Sequence, residues 1–476
     1  MSERRPNIIL IMTDQQRYDT VGALGYPFMG TPEIDRLCNE GTTFSRCYVN
    51  AASCVPARAS LFTGYFAHTT GILRNGDSWR HSWVELLARA GYCCVNLGKM
   101  HFQPFDVPGG FHQRYTVENK ERRTKQVGRY YFDEWDRALA ANGIASRPNY
   151  RAWPDFEERL GAFEWPLPPE LHSDNFTGSL CKWWIEGYEK TEPLFLQIGF
   201  PGPHPPYDPI AEIGARYLAK DLPLDEITEE DLASQPAAFK ELRERHVERQ
   251  PDSVAHRIRP TREARHRQRA YYLANVSMID RKIGEILASL RAQGYLDDAI
   301  VIFTSDHGDC LTDHGHSQKW NNYEQTVRVP LAIWGPGRVA AGRRVDELVQ
   351  LFDLGPTILD YAGVPVPESF EARSLKPALD GEPFAGRPFV CCEQGRDQNQ
   401  SAAELITMLR TDRHKLVHIL GHGDGQLFDL EQDPGEHRNL WDDPAQAGIK
   451  RELLEQLHSW RIESAHHARD WAADFR

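Results

Sequence analysis

Four short, almost wholly apolar runs punctuate the chain: NIILIM (7–12), CCVNLG (93–98), LFLQIGF (194–200) and AIVIFTSD (299–306). Apolar runs of this length without polar alternation read as strands buried on both faces, which occur where a sheet is covered by helices on either side. The intervening segments carry helical punctuation. Thr31 and Pro32 open a helix that Gly41 closes, and Ser82 with Glu85 predicts a capping box for a helix ending at Gly91. Within 272–294, Tyr272, Val276, Ile279, Ile283, Ile286, Leu287 and Leu290 fall on one stripe and lead into the strand at 299–304. The expected fold class is α/β.

After EARSLKPALDGEP (371–383) the rhythm changes to short strands in PFVCCEQ, ITMLRTDRHKLVHIL and QLFDL, then a helix from about 446 to 463. This predicts a large unit over 1–375 and a small α+β unit, an antiparallel sheet plus a helix, over 376–476. Two segments, 105–170 and 205–268, lack a clear period. The aromatic residues of the first favour ordered loops over a sheet edge, where binding residues concentrate.

A chain of 476 residues with 41% apolar content can bury a large core, and a net charge of −13 argues against a general nucleic-acid binder. No run approaches the ~18–20 apolar residues of a membrane span. The run Ile8–Met12 is also shorter than the ~7–15 residues of a secretory signal core, and TDQQR follows it instead of a cleavage site. The expected location is cytoplasmic. Nine cysteines without zinc-site spacing predict reduced, buried thiols.

Asp14 and Gln15 follow the first predicted strand, and Asp306 and His307 follow the strand at 299–304. The carboxyl ends of strands in an open α/β sheet line the ligand crevice, so the two pairs can converge there. Either aspartate alone would read as a loop cap. Together, two carboxylates, an amide oxygen and an imidazole compose a site for one divalent metal ion. Cys54 opens the segment CVPARASLFTG (54–64). Residue frequencies give about 0.05 chance matches to C-x-P-x-R in a chain of this composition.

That segment resembles the signature of the formylglycine-dependent sulfatases of the alkaline phosphatase superfamily. The resemblance implies that a formylglycine-generating enzyme oxidises Cys54 to Cα-formylglycine. The hydrate of that aldehyde then attacks sulfur while bound to the metal, so residue 54 joins Asp14, Gln15, Asp306 and His307 as a ligand. GKMHF (98–102) is similar to the family's G-K-x-H segment, implying that Lys99 binds sulfate oxygens and that His101 orients or deprotonates the hydrate. PGPHPPY (201–207) and HGHSQKWNNYEQTVRVPL (314–331) supply His204 and Lys319. The resemblance implies that these two bind sulfate and protonate the leaving oxygen, and that Arg58 steadies the nucleophile and the charge beside the metal. For His314 and His316, substrate contact and a hydrogen-bonding role in the loop both stay open.

The resemblance runs from about residue 5 to about 445 and implies an alkaline-phosphatase-like fold, a large mixed sheet between helices followed by a small C-terminal sheet with one helix. The metal set departs from the family's commonest pattern of three aspartates and an asparagine. An imidazole in place of a carboxylate leaves Ca2+ and Mn2+ both open. The same pairs resemble those of choline sulfatases and phosphonate monoester hydrolases. Lys99 with His101 decides for a sulfate monoester substrate, with a phosphonate monoester or phosphodiester hydrolase using the same nucleophile as the alternative. The expected partners are a small-molecule ester and the maturation enzyme, with neither nucleic acid nor membrane. Residues recognising the rest of the ester are expected in 65–80, including Arg74 and Asn75, and in 105–175 and 205–265. Self-association is open, because Trp471 and Phe475 in the C-terminal HHARDWAADFR could dock on a second copy or fold back.

Overall fold

The strand Asn7–Asp14 alternates its side chains between two cores, which explains its continuous apolarity. Ile8, Leu10 and Met12 enter one cluster, and Ile9 and Ile11 enter another on the opposite face. The computed structural model describes residues 5–121, 125–126, 129–189 and 192–472. In it this strand is central to a nine-stranded mixed sheet. Along the sheet the strands run Arg343–Val345, Thr42–Tyr48, Arg328–Trp334, Ala299–Ser305, Asn7–Asp14, Leu194–Pro203, Cys93–Gly98 and Gln113–Tyr115, with Val349–Gln350 also paired to Thr42–Tyr48. Arg328–Trp334 is antiparallel to both of its neighbours. The four strands from Ala299–Ser305 through Cys93–Gly98 are mutually parallel, so their carboxyl ends share one edge.

Helices cover both faces. The long helix Arg262–Ala292 lies on one face with Pro32–Glu40 and Ser173–Gly187, and the wholly buried helix Cys54–Thr63 lies on the other. The C-terminal unit is a four-stranded antiparallel sheet, Val390–Gly395, Leu405–Arg410, His414–Ile419 and Gly425–Asp429, followed by the helix Ala447–His467. Val390, Cys392, Ile406, Met408, Val417 and Ile419 join the same apolar cluster as the Cys54 helix. Trp471 folds back on its own chain, with its ring 5.7 Å from Tyr65, while Phe475 lies outside the described residues. All nine cysteines are unpaired and buried.

Two expectations need correction. The Ser82–Glu85 capping box does not form: the Ser82 hydroxyl accepts from Val84 N–H and donates to the Gly109 carbonyl, while Glu85 pairs with His81. The tertiary partner outcompetes the local one. The helix expected from 272 begins ten residues earlier, at Arg262, after Thr261, whose hydroxyl caps Ala264 N–H. Its first turns bury Arg265 and Arg269 against a carboxylate, not an apolar stripe, so hydrophobic periodicity does not register them. The segment 205–268 also contains the helices Ala211–Leu218, Glu229–Ser234 and Ala237–Arg249.

Close approach of two parallel strands sets where the chain after 93–98 emerges. A Cβ on Gly199 would lie 1.9 Å from the Lys99 carbonyl oxygen, so a side chain there must push the two backbones apart. Gly199→Ala is expected to destabilise the fold by about 1–3 kcal/mol through overpacking. The check is a urea unfolding midpoint lower than that of the wild type.

Candidate active site

The shared edge of the four parallel strands gathers most of the candidate residues. Asp306 and His307 follow Ala299–Ser305, Asp14 ends the next strand with Gln15 after it, His204 follows Leu194–Pro203, and Lys99 follows Cys93–Gly98. The sheet thus delivers carboxylates at two adjacent strands and an imidazole and an ammonium at the next two. Cys54 reaches the same place from the start of the helix Cys54–Thr63. Asn75 accepts a hydrogen bond from Val55 N–H at 3.0 Å, satisfying one free donor of that helix start and fixing residue 54.

The Cys54 sulfur lies 2.9 Å from Lys319 Nζ, 3.1 Å from His307 Nε2 and 3.8 Å from Asp14 Oδ1. Lys319 also donates to Gln15 Oε1 at 2.7 Å, and Lys99 Nζ pairs with Asp14 Oδ2 at 2.5 Å. Arg58, fully buried one turn after Cys54, donates to Asp306 Oδ2 at 2.8 Å, to the Lys99 carbonyl at 3.1 Å and to Asp14 Oδ2 at 3.5 Å. It therefore holds the two carboxylates together.

Burial disfavours a charge on Asp14, yet Lys99, His204, Lys319 and Arg58 together hold its carboxyl well below the usual range. Burial also opposes the Lys319 ammonium, but Cys54, Asp14 and Asp252 raise it above an ordinary lysine, so it stays charged. His101 is pushed far below its usual value by burial and by Lys99 and Arg58, and His204 falls to about 3 through burial and Lys319. Both imidazoles are neutral near pH 7.

The donor set suits a divalent cation. Ligand atoms of Asp14, Cys54, Asp306 and His307 all lie within 4.8 Å of one another. His307 Nδ1–H donates to the Gly308 carbonyl at 2.9 Å, which leaves Nε2 as the free ligand nitrogen. Gln15 is oriented by Asp309, which accepts from its Nε2 at 2.6 Å and so leaves Oε1 to accept from Lys319; Tyr207 donates to the same carboxylate oxygen at 2.6 Å. Gln15 itself sits at φ 70°, with its N–H donating to Asp306 Oδ1 at 3.0 Å. The oxygens with one imidazole fit one divalent cation.

A cleft of about 1240 Å3 opens above these groups, lined by Cys54, Lys99, His101, His204 and Lys319. Arg74 and Asn75 line it as expected, together with residues from 103–121, Arg151 and Arg249. His314 and His316 do not line it: they bond Asp231 and Gln235, so the loop role holds for both. Asp252 and Glu118 fall within the segments 205–265 and 105–175 expected to carry recognition, without having been singled out, whereas 395–399 lay outside the sequence reading. Asp252 stands 3.8 Å from His204 Nε2, Glu118 accepts His101 N–H at 2.9 Å, and Gly395–Asn399 arrive from the C-terminal unit. Asp397 of that loop accepts from Trp320 Nε1 at 3.1 Å, beside Lys319. Asp309 carried one signal in the sequence, its place three residues after Asp306 beyond the strand.

Residues 6–364 match the Sulfatase family, and residues 312–463 match the C-terminal region of N-sulphoglucosamine sulphohydrolase. The chain belongs to the sulfatase family. It is 30% identical over 461 residues to an arylsulfatase of Clostridium perfringens, covering 92% of this chain and 90% of that protein. It is also 30% identical over 501 residues to the multifunctional alkaline phosphatase superfamily protein PehA of Trinickia caryophylli, covering 97% and 96% of the two chains. Among solved structures, a phosphonate monoester hydrolase of Agrobacterium radiobacter superposes with a TM-score of 0.80 at 25% identity, over 97% of this chain and 96% of that one. The nine-stranded sheet with its C-terminal unit is therefore the sulfatase and alkaline phosphatase fold that the sequence implied.

Between His307 and Lys319 the chain passes through left-handed backbone at Leu311, Thr312, His314 and Gln318. Asp313 pins this loop, accepting from Arg17 at 2.7 Å and from Arg269 at 2.8 and 2.9 Å, with Arg265 at 3.5 Å. Burial works against its charge, but Arg269 and Arg17 bring it down to about 2. A carboxyl depressed on folding adds stability above its unfolded pKa and loses it as pH falls through the folded value. Asp313→Ala strands buried guanidinium groups and is expected to cost about 3–5 kcal/mol. Denaturation midpoints across pH 2–6 check this: the wild type should lose stability toward about pH 2, a component of the slope that the variant lacks.

Proposed function

We propose that this protein hydrolyses a small-molecule sulfate monoester, with residue 54 as the nucleophile after its conversion to Cα-formylglycine. The observation that carries the reading is the Cys54 thiol enclosed by Lys319, His307 and Asp14, with Lys99 on the other oxygen of Asp14 and His101 on the same cleft wall. A divalent cation held by Asp14, Gln15, Asp306, His307 and residue 54 would act as a Lewis acid toward the nucleophile and the sulfuryl oxygens.

The chain's own groups divide the remaining work. Lys99 and Lys319, both fixed by buried partners, present positive charge to an anionic ester without reorganising as the reaction proceeds. His101, neutral and with a buried Nδ1 that has no hydrogen-bond partner, can take a proton from the nucleophile. His204 donates through Nδ1–H to the Pro205 carbonyl, so its Nε2 is bare while neutral. Burial first and the Lys319 charge second hold the ring neutral, so its Nε2 can accept a hydrogen bond in the cleft. Lys319, always charged, is the donor to the leaving oxygen. The unpaired cysteines support a reducing, cytoplasmic setting, and conversion of Cys54 calls for a formylglycine-generating enzyme as maturation partner.

The second reading is a phosphonate monoester or phosphodiester hydrolase with the same nucleophile, favoured by the near-complete superposition on the Agrobacterium radiobacter enzyme. An aryl sulfate and the matching aryl phosphonate monoester, assayed side by side with protein co-expressed with a formylglycine-generating enzyme, separate the two. The sulfate should show the larger kcat/KM, and Cys54→Ala should remove turnover while leaving the circular dichroism spectrum unchanged. Lys99→Ala should lower sulfate turnover by about 10²–10³-fold, as for loss of one preorganised charge-stabilising group. A larger kcat/KM for the phosphonate would install the second reading instead.

A further inference from the structure

A separate cluster lies away from the cleft, where the insertion helix Glu229–Ser234, the loop carrying His314 and the C-terminal turn at 433–440 meet. Asp231 Oδ2 stands 3.0 Å from His314 Nδ1 and 3.9 Å from His437 Nδ1, and ligand atoms of all three residues lie within 4.8 Å of one another. We propose that Asp231, His314 and His437 form a second metal site for a borderline divalent cation of the zinc class, with water completing its coordination.

The donor chemistry selects the metal. Two imidazole nitrogens and one carboxylate oxygen suit Zn2+ over hard cations. Metal–ligand bonds of about 2.0–2.1 Å in a tetrahedral arrangement put ligand atoms about 3.3 Å apart. The observed 3.0 and 3.9 Å between the carboxylate and the two imidazoles bracket that separation, and all three ligand atoms lie within 4.8 Å of one another.

The surroundings orient all three ligands. Gln235 Nε2 donates to Asp231 Oδ1 at 3.2 Å and to the His314 carbonyl at 3.0 Å, leaving Oδ2 to face both rings. The His314 ring stacks flat on Tyr323, with centroids 3.9 Å apart at 4°. Its Nδ1 faces Asp231 Oδ2, so a cation bound there takes the place of the proton now shared with the carboxylate, and the ring carries its N–H at the buried Nε2. A Cβ on Gly435 would lie 2.7 Å from two atoms of the His437 ring, so glycine there makes room for the imidazole. Asn439 ties the same turn to the insertion helix by donating to the Ser234 carbonyl at 2.9 Å. Asp231 and His314 are buried and His437 is part-exposed, which leaves an entry path and a place for water.

Bound there, the cation would join the C-terminal turn and the insertion helix to the loop between His307 and Lys319. The site does not depend on which ester is cleaved. The test is metal stoichiometry: equilibrium dialysis of the full chain against Zn2+, then elemental analysis, for wild type, His437→Ala and His458→Ala. His458 is exposed and reports adventitious binding. Wild type and His458→Ala should carry one more equivalent than His437→Ala. Loading with Co2+ should add a visible absorption band of four-coordinate cobalt that His437→Ala lacks. Equal metal content in wild type and His437→Ala, or an equal loss in His458→Ala, would overturn the proposal.

Discussion

The buried pairing of Arg58 with Asp306 and Asp14 is the contact on which the site depends. Two carboxylates brought to neighbouring strand ends with no solvent around them would repel, and at neutral pH one would take up a proton. Arg58, Lys99 and Lys319 supply the charge that keeps Asp14 ionised, and Arg58 also fixes the spacing between the two acids. Because Arg58 lies one turn after Cys54 in the same buried helix, the interaction that compensates the acids also sets the position of residue 54. Removing one partner of such a set leaves an uncompensated buried charge, so the metal donors, the nucleophile position and the packing of that helix stand or fall together.

The sheet supplies the geometry that this charge balance needs. Four mutually parallel strands place Asp306, Asp14, His204 and Lys99 along one edge, and the Gly199 contact with the Lys99 backbone fixes how closely the last two strands run. Opposite that edge, a loop with repeated left-handed residues brings Lys319 back over Cys54. Its shape is held by Asp313 and its arginines on one side and by Asp397 on Trp320 on the other. The C-terminal unit thus shares a core with the large sheet and also contributes wall to the cleft through Gly395–Asn399.

What could be read from the chain follows from which signals are local. Asp14 with Gln15 and Asp306 with His307 were legible because each pair directly follows an apolar run, and strand ends of a covered parallel sheet share an edge. Cys54, Arg58, Lys99, His101, His204 and Lys319 were legible only through resemblance, since a lone lysine or histidine in a loop carries no periodic signal. Asp252 and Glu118 were legible only as members of broad loop segments, Asp309 only by its place after Asp306, and the 395–399 loop not at all: each meets the site through tertiary contact, and no local pattern marks a carboxylate as facing an amide or an imidazole. The early turns of the long helix were hidden for the opposite reason. Arg265 and Arg269 look like solvated charge in sequence and are buried on Asp313 in the fold.

The central claim is that this array exists to hold a modified residue 54. Its most direct measurement is the mass of the tryptic peptide Cys47–Arg58 after thiol alkylation, taken from batches co-expressed with graded amounts of a formylglycine-generating enzyme, alongside sulfate turnover of each batch. Cys47 in the same peptide serves as the internal thiol control. The account predicts that the fraction of peptide with aldehyde at position 54 and alkylation at Cys47 alone rises in proportion to kcat. Full turnover in protein whose two cysteines are both alkylated would contradict it.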